Sequence, residues 1–156
     1  MTVNQINPKK TVKVFINPEA QAVAAELPED IYQIVKQAVH FTFENERPKA
    51  EYRISVMLIS DNEIIEMNKR YLNKDNPTDI LCFPYSGGND VQAEMFISVD
   101  TAKLQAGDYG HTFLEELLFI AIHGILHMVG YHDDTQEQRQ GMWDRQEQLL
   151  KASKCI

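Results

Sequence analysis

"HTFLEELLFIAIHGILHMVG", residues 111–130, decides the architecture of this chain. Leu114, Leu117, Leu118, Ile120, Ile122, Ile125, Leu126 and Val129 leave little polar face, so a helix over 113–130 is expected to be central and buried. Thr112 with Glu115 three residues later is a capping box that opens it, and Gly130 marks its C-terminal stop. A buried helix normally avoids imidazoles, yet His123 and His127 lie one turn apart on a shared face. Glu116, seven residues before His123, lies on that face too. It is a candidate to orient His123, or an acid favoured by the helix N-terminus.

Two imidazoles at i and i+4 reach one cation from a rigid helix, and zinc asks for at least a third protein ligand. Beyond Gly130, which permits the chain to turn back, the available groups are His132, Asp133 and Asp134. The alternative is a pair of core histidines bonded to nearby carbonyls. In the common zinc-peptidase pattern the first histidine is followed by a glutamate acting as general base. Here that residue is Gly124, so the chemistry differs.

Working outward, 11–16 alternates and is rich in β-branched residues, as a strand does, and 51–59 reads as a second strand. Residues 28–46 carry Ile31, Ile34, Val35 and Ala38 at helical spacing. Ser60 with Glu63 caps a helix over 60–73, and Thr135 with Gln138 caps a last helix near 136–151. Stretches 78–86 and 91–100 flank the turn "GGND" and predict a hairpin. The order predicts an α/β (α+β) fold: a small mixed sheet packed with helices, the central buried helix carrying the His pair.

The 156 residues fit one domain spanning 1–156, and 44% hydrophobic with 24% charged residues is ordinary for a globular protein. The N-terminal "MTVNQINPKKTVKVF" shows no leader pattern. The longest apolar run, Leu117 to Ile122, is far short of a span of roughly 20 residues, so no membrane partner is expected. Cys82 and Cys155, without a secretory signal, point to a reducing cytoplasm. Cys82 reads as an apolar residue and not a nucleophile. The net charge of −8 confines any nucleic-acid surface to a local basic patch. "NKRYLNK" (68–74) offers one: Lys69, Arg70 and Lys74 beside Tyr71, a phosphate and stacking patch or a solvated helix face.

"HGILHMVGYHDD" (123–134) resembles the signature of the YbeY family of bacterial endoribonucleases, H-G-x-x-H-x-x-G-Y-D-H. "MNKRYLNKDNPTDILCFPY" (67–85) and "EMFISVDTA" (94–102) resemble two further blocks of that family, in family order. The resemblance implies a cytoplasmic, zinc-dependent endoribonuclease specific for single-stranded RNA, active in ribosomal RNA maturation and ribosome quality control. Its partners would be ribosomal RNA or the ribosome, with no DNA expected. The family's third ligand is a histidine ten residues after the first. That register falls on Asp133, giving the set His123, His127, Asp133, with His132 the alternative if the loop shifts by one. The family's arginine after the tyrosine is Leu72 here, with Arg70 two residues earlier on another face. Two other classes stand beside this reading. One is a zinc hydrolase of peptidase type, and the other a non-catalytic ribosome-associated factor whose metal is structural.

Overall fold

The computed structural model describes residues 7–155; the first six residues of the N-terminal stretch quoted above lie outside the described residues. The chain runs β1 (Lys10–Ile16), a 3-10 turn (Pro18–Ala20), α1 (Gln21–Ala24), α2 (Ile31–Glu46), β2 (Glu51–Ile59), α3 (Asp61–Leu72), β3 (Ile80–Ser86), β4 (Asp90–Ser98), α4 (Val99–Tyr109), α5 (Phe113–Met128) and α6 (Gln136–Ser153). The strands form one sheet in the order β1-β2-β4-β3. β1 and β4 both lie parallel to β2, whereas β3 pairs antiparallel with β4, so the expected hairpin forms within a mixed sheet.

Side-chain alternation assigns the two faces of this sheet. Tyr52, Ile54, Val56 and Leu58 of β2 and Val91, Ala93, Met95 and Ile97 of β4 join the main core with α2 and α5. On the other face Ile64 and Met67 of α3 cover Leu81, Phe83, Phe96 and Met57. α5 touches β3 and β4 on one side and α2, α4 and α6 on the others. That enclosure is why its sequence is apolar nearly all round. Ten of its residues are buried.

All three capping boxes form: Ser60 with Glu63, Thr112 with Glu115, and Thr135 with Gln138. One boundary is corrected and two segments are added. The strand read over 91–100 ends at Ser98, and the chain turns at once into α4, which was not anticipated. The Ser98 side chain accepts from the Thr101 amide and opens that helix, and Gly110, at φ 69°, closes it. The short turn and helix over 18–24 were likewise not anticipated. Among the described residues no helix is long and apolar enough to cross a membrane.

Candidate metal centre

Gly124 explains where the histidines point. A Cβ built there would lie 2.7 Å from Ile80 Cδ1, 2.7 Å from Met95 Sδ and 3.2 Å from Cys82 Sγ. The helix therefore presses its glycine flat on β3 and β4. No glutamate could stand in that contact, so the peptidase base is excluded by packing as well as by sequence. The histidines on either side of this contact, His123 and His127, are only partly covered, and their rings meet edge to face at 4.6 Å.

The chain then reverses. Gly130 adopts φ 105°; its amide donates to His127 O and that of Tyr131 to Leu126 O, the paired bonds of a Schellman turn. Arg47 Nη2 donates to Val129 O at 2.6 Å, and Tyr131 Oη donates to Glu46, which also holds Arg145. Thus clamped, the turn brings Asp133 back to the pair. Asp133 Oδ2 lies 3.1 Å from His127 Nε2 and 3.7 Å from His123 Nε2, and the two Nε2 atoms are 3.1 Å apart. Donors about 2.1 Å from a tetrahedral zinc stand roughly 3.4 Å from one another, so this set fits a small cation. His132 is exposed and outside the group. The structure thus brings together His123, His127 and Asp133, a group that could hold a metal ion.

The donor chemistry is consistent with that use. Gln146 Nε2 donates to Phe119 O, which turns its Oε1 towards His123 Nδ1 at 3.1 Å. An amide oxygen only accepts, so His123 carries its proton on Nδ1 and its lone pair on Nε2, facing the group. Gln146 is buried on a stripe with Met142 and Leu149, a pattern that sequence analysis did not single out. Glu116 does not orient His123. It is 1% exposed and hydrogen-bonds His111 Nδ1 at 2.9 Å. Burial holds its carboxyl above the usual range, against the pull of His111.

His123 and Asp133 of the group line a cavity of about 200 Å³, with Asp79, Glu116, Arg139, Trp143 and Gln146 among its other walls. Burial likewise raises the Asp79 carboxyl, opposed by His123 nearby and by hydrogen bonds that include Gln105. Trp143 packs against the main core and forms a wall of the cavity, its ring centroid 4.7 Å from that of Phe119. Lys69, Arg70, Lys74 and Leu72 are exposed and are not among the lining residues. Burial pushes the Cys82 thiol up to about 12, which suits an inert packing residue under Gly124.

A family model described as endoribonuclease YbeY matches residues 16–154. The chain belongs to the endoribonuclease YbeY family. Its relatives named endoribonuclease YbeY include a protein of Acetivibrio thermocellus, 33% identical over 81% of this chain and 89% of that protein. Another, of Bacillus subtilis, is 35% identical over 80% and 87%. The solution structure of a Thermotoga maritima protein superposes with TM-score 0.57 at 27% identity, covering 92% of this chain and 89% of the other. YbeY membership places the chain among enzymes, hydrolases named for cutting RNA, as the resemblance implied.

Proposed function

We propose that residues 1–156 act as one zinc-dependent endoribonuclease domain specific for single-stranded RNA, serving ribosomal RNA maturation and ribosome quality control in the cytoplasm. The observation that carries this reading is the His123–His127–Asp133 group opening on a cavity in a YbeY-family chain. Two imidazoles and a carboxylate suit zinc. A divalent cation there supplies Lewis acidity towards a phosphoryl oxygen. Gln146 keeps His123 in the ligating tautomer, and Arg47, Glu46 and Tyr131 hold the turn that presents Asp133. A ribose 2′-hydroxyl beside the scissile phosphate reduces what the protein must provide, which favours RNA over DNA. Lys69, Arg70 and Lys74 give the strand a basic approach, because the loop after Lys74 leads within five residues to Asp79 in the cavity.

Two features weigh against the other classes. Gly124 leaves no room for a peptidase base. No fourth His, Cys, Asp or Glu joins the group among the described residues, unlike a closed structural zinc site. Metal analysis of purified protein, with cleavage assays on single-stranded RNA, duplex RNA and casein, tests the reading. About one zinc per chain and chelator-sensitive cleavage of single-stranded RNA is the expected result. Casein hydrolysis with RNA intact would select the peptidase, and a metal-loaded protein inert on both would select the structural factor.

A further inference from the structure

Among the residues lining the cavity, Arg139 is the one lysine or arginine, and the carboxyl groups there are Asp79, Glu116 and Asp133. A phosphodiester entering this space approaches acidic side chains, so a cation on the wall favours its entry. Arg139, exposed and fourth residue of α6, donates from Nη1 to both Asp133 O and Asp134 O, each at 3.3 Å. Those carbonyls belong to the loop that presents Asp133. The guanidinium is therefore held in register with a donor of the metal group. Arg145, on the same helix, is locked on Glu46 at 2.6 Å. Arg139 forms no such ion pair among the described residues, and its Nε and Nη2 donors keep no protein partner among them.

A guanidinium fixed at one nitrogen and open at the others has the fork that two phosphate oxygens fit. We propose that Arg139 is the phosphate-binding residue of the cavity, gripping non-bridging oxygens of a single-stranded RNA backbone beside the His123–His127–Asp133 group. This rests on the endoribonuclease reading above and names the group that holds its substrate. The bland rival is that Arg139 only pins the 133–134 loop. The two roles separate by experiment, because a pin acts on the metal and a clamp acts on the RNA.

Arg139→Gln and Arg139→Lys are compared with the unaltered protein in three measurements. These are anisotropy binding of a 2′-O-methyl single-stranded oligonucleotide across a salt series, zinc affinity by chelator competition, and cleavage kinetics on the matching RNA. For Arg139→Gln the expected result is at least about tenfold weaker oligonucleotide binding, since a charge-assisted bidentate contact is lost. Its salt slope should be shallower by about one. Zinc affinity should hold, and the loss in cleavage should appear first in KM. Arg139→Lys should keep the salt slope while losing part of the affinity, because an ammonium lacks the fork. Unchanged oligonucleotide affinity and slope in Arg139→Gln, with weakened zinc binding, would overturn the clamp and leave the pin. If the unaltered protein itself neither binds nor cuts the RNA, the endoribonuclease reading fails and this inference falls with it. If it does both and Arg139→Gln matches it, only this inference falls.

Discussion

Asp133 stands where its family register implies a histidine, and His132 stands beside it as the nearer chemical match. Geometry separates them: Asp133 Oδ2 is 3.1 Å from His127 Nε2, while His132 is exposed and outside the group. Asp133→Ala should therefore abolish tight zinc binding, and His132→Ala should retain most of it. Asp133→His should also retain zinc, since an imidazole is an ordinary ligand. Gln146→Leu leaves the His123 tautomer unset and should weaken zinc binding roughly 10- to 100-fold without removing it. Competition with a chromogenic chelator reads all four. Loss of zinc in His132→Ala with retention in Asp133→Ala would mean that the loop register is shifted by one. The His pair was legible in the sequence because helical spacing is local. Asp133 was implied only by the family register, with His132 left as the alternative, because the turn that brings Asp133 to the pair is held from 82 residues away by Arg47 and by the distant Glu46. Gln146 was missed because one polar residue on an apolar stripe does not name its partner.

At the level of elements, α5 shows how a helix and a site can be specified by one residue. Glycine within a helix ordinarily costs about 1 kcal/mol relative to alanine, so a Gly-to-Ala change in an open helix stabilises. At Gly124 the sign should reverse. The new methyl meets Ile80, Met95 and Cys82 together, and Met95 is fully buried, so it has little space to yield. Overpacking of this kind costs about 1–3 kcal/mol, enough to exceed the propensity gain. Gly124→Ala should lower the urea midpoint with an unchanged denaturant slope. A raised midpoint would show that the helix does not press on the sheet as described. The capped helices were readable because each box spans four residues. α4 was not: its N-cap serine closes the preceding strand, and Thr101 stands where the three capping boxes carry Glu or Gln.

The whole molecule sets what the metal group can and cannot do for stability. The main core joins α2, α5, β2 and β4 through residues such as Val35, Phe43, Val56, Met95 and Ile122, none of them a donor to the group. His123, His127 and Asp133 sit at the rim of that core, 28%, 36% and 39% exposed at their side chains. α5 is thus fixed by its neighbours on all sides before any ion binds, and the turn after it is held by Arg47 and Glu46. A cation that binds only the folded state then adds stability by mass action, about 2.7 kcal/mol at a hundredfold excess over Kd. For a chain of this size each kcal/mol moves Tm by roughly 2–4 °C, so complete chelation from that loading should lower Tm by roughly 5–11 °C. The helical circular dichroism at 25 °C should be unchanged, unfolding should stay cooperative, and zinc should restore the original Tm. A collapse of helical signal on chelation at 25 °C would contradict this, because α5 would then depend on the ion for its place and the group would be a structural staple rather than an open site on a finished fold.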